Sequence, residues 1–359
     1  MKAQQQSETR RRTTRLIGAG VIVALLLASL TGLFARGAAA DPTLPPLTPT
    51  ELLNRVATAQ VDGMSATFTQ RSDLGLPALP SGIGGGDELQ SALTLLTGTH
   101  TIRVWTAGPQ HSRVSLVDDD SESSVIRNGN QVWTWSSEQQ KAGHATIDAK
   151  TPTARPTGAP STPAEAIDRL LKAIGPSTEV TASGTGYVAG RPVYQLILAP
   201  KDAASLIGQV RLFVDATTYV PLGLRVLDRG GAEAVSLLAS TVDFSVPAAG
   251  VFEFTPPAGV EVTELDAKAS DHPTGTAKSR PETKTVGTGW TTVLVASTGT
   301  TKVTDATAKA LLDSLPAVSG AWGRGRLLST SLVNVVLTDD GRVAVGAVTE
   351  DRLYAALAR

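Results

Sequence analysis

The 359-residue sequence contains no cysteine. This absence excludes disulfide bonds, thiolate metal sites, a cysteine nucleophile and the attachment of a lipid to cysteine. Aromatic residues are also scarce, at 4% of the chain, so a hydrophobic core has to be built mainly from Val, Leu and Ala. Neither sign of charge dominates, because 32 Lys and Arg residues stand against 33 Asp and Glu residues. Because its charges balance, the chain lacks the excess of positive charge that binding to nucleic acid requires. We therefore expect no nucleic acid partner.

One long apolar run does occur, in residues 16–35. Basic residues between positions 2 and 15 precede it, and Ala38-Ala39-Ala40 follows it. Basic residues before an apolar segment keep the N-terminus in the cytoplasm, and small residues after it form a cleavage site for signal peptidase. The run is long enough to span a bilayer, so two alternatives stay open: a signal peptide cleaved after Ala40, or an uncleaved membrane anchor. In both cases the remaining chain is extracytoplasmic, in the periplasm, in the cell envelope or secreted.

Changes in composition divide the chain into segments. The stretch after Ala40 is rich in proline, and residues 266–285 are polar and rich in Thr, Lys and Pro, as linkers are. The chain after residue 40 is long enough for one large domain and one small domain. The predicted organisation is a signal peptide or anchor at 1–40, a Pro-rich spacer at 41–50, a main domain at 51–265, a linker at 266–285 and a small C-terminal α+β unit at 286–359.

Alternating apolar and polar residues separated by turn residues predict an antiparallel meander in the main domain. The clearest turn is Asn128-Gly129, which lies between two apolar runs and predicts a β-hairpin. Helices are predicted apart from the strands, from a helix start at Thr48-Pro49-Thr50-Glu51 and from apolar residues in 87–95 and 164–174. Helices that are set apart from antiparallel strands give the α+β class.

No motif for catalysis or metal binding is present. The four histidines have neither a helical pairing nor the spacing of metal ligands, and we interpret them as solvent-exposed side chains: His100, His111, His144 and His272. The Gly-x-Ser-x-Gly sequence of many serine hydrolases does not occur. The sequence therefore predicts a protein that is not an enzyme and has no cofactor and no metal site.

Paired aromatic residues are the most suggestive feature of the sequence. Trp133 and Trp135 are two residues apart, as are Phe252 and Phe254, so each pair shares one face of a strand. Such a face packs in the core or, alternatively, lines an apolar cavity that holds an acyl chain. The pattern by itself leaves both alternatives open.

Four segments resemble the outer-membrane lipoprotein carrier (LolA) superfamily, to which the lipoprotein-like domain of the sigma-factor regulator RseB also belongs. They appear in the order of that family and span about residues 51–265. They are Met64-Ser65-Ala66-Thr67-Phe68-Thr69-Gln70, similar to the first strand of the family, Asn128-Gly129-Asn130-Gln131-Val132-Trp133-Thr134-Trp135, similar to its hairpin, Leu196-Ile197-Leu198-Ala199-Pro200-Lys201, similar to a strand end, and Phe252-Glu253-Phe254-Thr255-Pro256-Pro257-Ala258-Gly259-Val260-Glu261-Val262, similar to its closing strand. The last of these is the most specific.

The resemblance implies an unclosed antiparallel half-barrel wrapped over helices, with a hydrophobic cavity for the acyl chain of a lipid or lipoprotein. The residues that would line this cavity are Phe68, Ile102, Val104, Trp133, Trp135, Leu196, Leu198, Phe213, Phe252 and Phe254. One position departs from the family. The bacterial carriers have an arginine before a proline just after the second strand, and this arginine helps to latch the cavity, whereas the residue before Pro109 here is Gly108. The latch therefore does not carry over from the family.

Two functional hypotheses follow. The preferred one is an extracytoplasmic, non-enzymatic carrier or binding protein that holds a lipid or lipoprotein acyl chain in this cavity. The alternative is a membrane-tethered regulatory sensor, like the RseB domain, that binds an anti-sigma factor or another envelope protein. The resemblance does not cover the C-terminal unit, whose Trp322-Gly323-Arg324-Gly325-Arg326 segment we interpret as an exposed turn.

Overall fold

The computed structural model describes residues 43–76, 97–118, 120–147, 171–172, 174–184, 186–265, 282–297, 309 and 312–358. The predicted signal peptide or anchor, the helix predicted at 87–95 and nearly all of the helix predicted at 164–174 lie outside these ranges. Within them, no helix is both long enough and apolar enough to cross a membrane.

A short helix, α1 (Pro49–Thr58), begins where the sequence predicts it. A capping box closes its first turn. Thr48 Oγ1 accepts a hydrogen bond from the Glu51 amide (3.2 Å), and the Glu51 carboxylate accepts one from the Thr48 amide (2.8 Å). Leu52, in the same turn, is completely buried. The capped end and this buried leucine together fix α1 on the sheet.

A thirteen-stranded sheet makes up most of the described chain. Its strands are β1 (Gly63–Ser72), β2 (Gly98–Ala107), β3 (His111–Val117), β4 (Glu122–Asn128), β5 (Gln131–Ser136), β6 (Lys141–Thr146), β7 (Thr178–Ser183), β8 (Tyr187–Val188), β9 (Arg191–Pro200), β10 (Ile207–Asp215), β11 (Pro221–Asp228), β12 (Glu233–Asp243) and β13 (Glu261–Glu264). Their order is β13-β6-β5-β4-β3-β2-β1-β12-β11-β10-β9-β7, with β8 paired to β9. The pairs are antiparallel except β13 with β6, which is parallel. The edge strands β13 and β7 do not pair with each other, so the predicted α+β fold with an unclosed antiparallel sheet is confirmed.

Two tight turns in the first half of this sheet use glycine in a left-handed conformation. Gly129 has a φ of +64° in the β4–β5 hairpin, which confirms the hairpin predicted there. Gly108 has a φ of +63° in the turn between β2 and β3. An arginine side chain would strain the backbone at this φ, which is a physical reason why the latch arginine of the carriers has no counterpart at this position.

Two hydrophobic clusters stabilise the second half of the sheet. The α1 cluster consists of Leu52, Tyr194, Leu196 and Val214, with Leu198 packed against it. The β9–β11 cluster consists of Val188, Val193, Phe213, Leu222 and Ala239, with Phe68 packed against it. Leu196 and Leu198 therefore belong to the contact between the helix and the sheet.

The closing segment of the main domain consists of residues 249–264. The strand predicted through residues 252–262 of this segment is wrong. Ala249–Phe252 forms a 3-10 helix, residues 253–260 contain no strand, and only β13 pairs with the sheet. Pro256 and Pro257 have no amide hydrogen to donate to a strand ladder, so a continuous strand cannot pass through them. The segment instead crosses the sheet and joins it beside β6.

A six-stranded antiparallel sheet forms the C-terminal unit. Its strands are β14 (Glu282–Val286), β15 (Val293–Ser297), β16 (Ala317–Gly320), β17 (Gly323–Ser329), β18 (Asn334–Thr338) and β19 (Arg342–Gly346), in the order β14-β15-β19-β18-β17-β16. Helix α2 (Glu350–Leu357) packs Leu353 and Leu357 against Val336 on one face. β14 begins inside the segment predicted as a linker, and the division into domains stays a prediction.

Two predictions about the C-terminal unit are wrong. Apolar residues from Trp290 to Ala296 predict a strand there, but the strand begins at Val293, because Gly289–Thr291 forms a 3-10 turn. Trp322 does not lie in an exposed turn, because it is buried in the core and stacks on Tyr354 with 5.5 Å between ring centroids. The residues that follow it enter β17 directly.

Candidate functional site

Side chains on β2 to β5 sort into two faces, because these strands pair without a register shift and side chains alternate along each strand. The valine face consists of Ile102, Val104, Val114, Leu116 and Val125. The tryptophan face consists of Trp105, Arg113, Ile126, Trp133 and Trp135. The predicted cavity residues are therefore divided between opposite sides of one sheet.

The closing segment covers the part of the tryptophan face that lies on β3, β4 and β5. Phe254 contacts Trp133 and Trp135, with ring centroids 5.6 and 5.9 Å apart. Phe252 is 2% exposed, and its ring centroid lies 5.7 Å from that of His111 on β3. These four predicted cavity residues pack against each other or against the sheet.

A polar network lies on the same face beside the aromatic residues. Glu122 accepts hydrogen bonds from Ser124 (2.6 Å) and from Arg113 (3.0 Å), and Ser124 shares a further one with Ser115 (2.7 Å). The hydrogen bond from Ser124 is the main cause that lowers the pKa of the Glu122 carboxyl below its usual value, against the opposing effect of burial. Arg113 also donates to the Val251 carbonyl (3.4 Å), which ties the closing segment to the sheet. Ser115 and Ser124 are buried, whereas Glu122 at the end of the network is partly exposed.

The histidines are not the exposed side chains that the sequence suggests. His100 is 7% exposed and lies 2.7 Å from the Asp118 carboxylate. His144 lies 2.9 Å from Glu264 on β13 and packs on Trp133 with 4.3 Å between ring centroids. His272 lies outside the described ranges. In the part of the chain that the structure describes, no three His, Asp or Glu side chains form a group that could hold a metal ion.

The valine face is the open apolar surface of the main sheet. Val104, Val114 and Val125 lie opposite one another on β2, β3 and β4, and the exposed fractions of Val114 and Val125 are 43% and 52%. Leu265 extends the surface past β5, because a Cβ atom at Gly143 would lie 2.8 Å from its Cδ1 atom. Exposed apolar side chains in one row of a sheet are typical of a binding surface.

The ten predicted cavity residues thus fall into separate places. Ile102 and Val104 lie on the valine face, and Phe68 lies opposite Ile102 on β1. Phe213 lies in the β9–β11 cluster, and the remaining residues belong to the α1 cluster or the tryptophan face: Leu196, Leu198, Trp133, Trp135, Phe252 and Phe254. The prediction omitted Val114, Leu116 and Val125. The sequence of β3 alternates between apolar and polar residues, with a serine between Val114 and Leu116, and this pattern could have placed both side chains on one face.

Residues 95–248 match the family model of the MucB/RseB N-terminal domain. No curated protein sequence matches the chain. The family match confirms the resemblance to the RseB type of fold over these residues.

The solved structures that match this chain have low sequence identity to it. The complex of MucA and MucB from Pseudomonas aeruginosa has a chain 15% identical, with 86% of this chain and 96% of that one covered and a TM-score of 0.44. A LolA superfamily protein from Nitrosomonas europaea is 10% identical, with 58% and 99% covered and a TM-score of 0.23. A putative outer membrane lipoprotein-sorting protein domain from Vibrio parahaemolyticus is 12% identical, with 52% and 86% covered and a TM-score of 0.19.

Proposed function

We propose that this protein binds the acyl chain of a lipid or lipoprotein on the valine face of its main sheet. The observation that carries the proposal is the exposure of Val114 and Val125, two large apolar side chains in the middle of a sheet. Covering them with an acyl chain removes apolar surface from water, which contributes about 25 cal/mol for each Å² buried.

The chemistry of the surrounding residues agrees with an apolar ligand. Ile102 and Leu116 flank the exposed valines, and Thr134 continues their row on β5. None of these side chains carries a charge, and Arg127, which follows Val125 on this face of β4, donates through Nε to the Gly129 carbonyl (3.1 Å). An acyl chain has no hydrogen-bonding groups to satisfy, so it needs only apolar contact of this kind.

The test is binding of a fluorescent fatty acid to protein isolated from the cell envelope, with and without changes in the valine face. The substitutions Val114→Thr and Val125→Thr keep the side-chain shape and suit a strand, but they add a hydroxyl group that an acyl chain cannot satisfy. Burying an unsatisfied hydroxyl costs about 1–3 kcal/mol, so we expect the double variant to bind about tenfold more weakly or worse.

Val262→Thr is the matched control, because Val262 is 42% exposed on β13 and lies outside the valine face. Its fatty-acid affinity should equal that of the unchanged protein. Equal affinities for the control and the double variant, or no fatty-acid binding and no lipid in mass spectra of the isolated protein, would refute the proposal.

A second candidate function is binding of an envelope protein partner, as in a membrane-tethered regulator. The observation that favours it is the family match, which is to the MucB/RseB N-terminal domain, together with the solved complex of MucB with MucA. The measurement is chemical cross-linking of the full-length protein in intact envelopes followed by mass spectrometry. Reproducible cross-links to one membrane protein, such as an anti-sigma factor, would support this function, and cross-links to none would count against it.

A further inference from the structure

The first half of the main sheet has a groove on the side opposite to the valine face. It lies where β12, β1 and β2 are neighbours, has a volume of about 200 Å³, and is lined by Ser65, Thr67, Trp105, Thr241 and Asp243, with Ala66 and Val242 completing the lining. Nothing in the proposed binding of an acyl chain uses these residues. The groove is smaller than the roughly 300–1,000 Å³ of sites for drug-sized ligands, so its ligand is a small group or the end of a larger molecule.

Two features of the backbone make this part of the sheet concave. The register of β1 and β12 shifts between Thr67 and Phe68, so Ser240 is an extra residue in β12. Such a bulge bends its strand and redirects the neighbouring side chains. At one end, the chain that leaves β12 passes directly over β1, because a Cβ atom at Gly63 would lie 2.5 Å from Val246 Cα. The bulge lies next to Thr67 and Thr241, which line the groove, and the crossing chain lies beyond its Ser65 and Asp243 end.

The register places polar side chains around a single aromatic ring. Ser65 lies opposite both Trp105 and Asp243, and Thr67 lies opposite both Thr241 and Arg103. The groove therefore offers three hydroxyl groups, one carboxylate and one indole ring, with an exposed guanidinium beside them. These groups can donate and accept hydrogen bonds in several directions at once.

The indole ring of Trp105 is held in place from the β3 side. The Arg113 guanidinium lies 5.8 Å from the ring centroid, and Arg113 is itself fixed by its ion pair with Glu122 (3.0 Å). A cation over an aromatic ring is attracted to it, so the ring orientation is set before a ligand arrives. A fixed ring with hydroxyl groups and a carboxylate beside it can stack on the C–H face of a sugar ring and bind its hydroxyl groups.

We propose that the groove around Trp105 binds a neutral saccharide, such as a segment of an envelope glycan. The charges support a neutral ligand, because the carboxylate of Asp243 and the guanidinium of Arg103 offset each other. An acyl chain is disfavoured here, because it would cover three hydroxyl groups and a charged carboxylate whose hydrogen bond from the Ser245 amide (2.8 Å) uses only part of its acceptor capacity. The site is independent of the valine face, since the two lie on opposite sides of the sheet.

The test is calorimetric titration of the protein isolated from the cell envelope with chitotriose, cellotriose and maltotriose. We expect at least one of these neutral oligosaccharides to bind, and we expect Trp105→Ala to weaken that binding about tenfold or more while Trp105→Phe retains most of it. Asp243→Asn keeps a side-chain oxygen that can accept the Ser245 amide, and Arg103→Gln changes an exposed side chain, so both should keep the fold and weaken binding. Glu138→Gln, an exposed carboxylate in the β5–β6 turn, is the matched control and should bind as the unchanged protein does.

The fatty-acid assay separates this proposal from the proposed function. The groove variants should bind fatty acid normally, and the Val114→Thr/Val125→Thr variant should bind the oligosaccharide normally. Failure of all three oligosaccharides to bind, or binding that Trp105→Ala, Asp243→Asn and Arg103→Gln leave unchanged, would overturn the saccharide site whatever the fatty-acid result.

Discussion

Arg191 and Asp215 form the most deeply buried ion pair among the described residues. Asp215 is 0% exposed, and its carboxylate accepts hydrogen bonds from Arg191 Nε (2.5 Å) and Nη2 (3.1 Å). The amide of Thr218 donates another (2.7 Å). Burial raises the pKa of the Asp215 carboxyl, but the hydrogen bonds from Arg191 and Thr218 outweigh it, so the pKa lies below its usual value. The carboxylate is therefore charged and fully paired inside the sheet.

Removal of one partner of this pair should destabilise the protein strongly. In Arg191→Ala the Asp215 carboxylate stays buried and loses its cationic partner, and only the hydrogen bonds from backbone amides and the Thr218 hydroxyl remain. We expect the free energy of unfolding to fall by about 3 kcal/mol. Arg352→Ala is the control, because the Arg352–Asp202 pair is exposed on both sides and such pairs contribute about 1 kcal/mol at most. Urea denaturation measures both values. Equal losses for the two variants would contradict the role assigned to the buried pair.

The same pair predicts how stability depends on pH. Because the pKa of Asp215 is lower in the folded than in the unfolded state, its contribution is complete above the unfolded value of about 3.9. It is lost as the pH falls from about 4 through the folded pKa, since the unfolded state then binds the proton more readily. In Asp215→Asn the slope of unfolding free energy against pH should be shallower in this acid range. An unchanged slope would show that other carboxyl groups cause the acid sensitivity.

At the scale of elements, the closing segment should contribute to stability and not to ligand binding. Phe252 is 2% exposed in the 3-10 helix that covers β3 and β4, so Phe252→Ala should cost about 3–5 kcal/mol of unfolding free energy by leaving a cavity. Tyr187→Ala, which truncates an aromatic ring that is 45% exposed, should cost much less. Thermal or urea unfolding measures the difference. Below the unfolding transition, the fatty-acid affinity of Phe252→Ala should be normal, and a weakened affinity would place the ligand on the tryptophan face.

The elements that could be predicted from sequence are those whose signals are local. The capping box at Thr48 and Glu51 and the turn at Asn128-Gly129 each define an element within four residues. The path of residues 252–262 is not local, because Phe-x-Phe spacing looks the same in a strand and in an extended segment that crosses a sheet. Only Pro256-Pro257 hinted at the interruption.

The candidate site was harder to predict because its geometry depends on distant pairings. Alternation shows that Trp133 and Trp135 share a face, but it does not show which face of the sheet the closing segment covers. The contact that His144 makes with Glu264 joins residues 120 positions apart in the sequence. The concave groove at Trp105 depends on a bulge at Ser240, and a bulge that lacks a glycine has no clear sequence signal.

At the scale of the whole molecule, the two sheets are joined by hydrogen bonds of the backbone. The Leu206 amide donates to the Ala347 carbonyl (2.9 Å), and the Thr349 amide donates to the Ala204 carbonyl (2.8 Å). The indole Nε1 of Trp290 donates to Thr178 Oγ1 (2.7 Å) at the start of β7. The second sheet is therefore held against the ends of β7, β9 and β10, and we expect the two sheets to unfold together.

Trp290→Phe tests this coupling. The substitution removes the indole donor and leaves the Thr178 hydroxyl, in a residue 2% exposed, without that partner, which should cost about 1–2 kcal/mol. Hydrogen exchange followed by mass spectrometry should then show faster exchange both in peptides from the β9–β10 connection and in peptides from β18 and β19. Trp105→Phe is the control, because the Trp105 indole N–H makes no hydrogen bond within the described part of the chain. Faster exchange confined to the second sheet would mean that it unfolds independently, and the backbone contacts at Leu206 and Thr349 would then be too weak to couple the sheets.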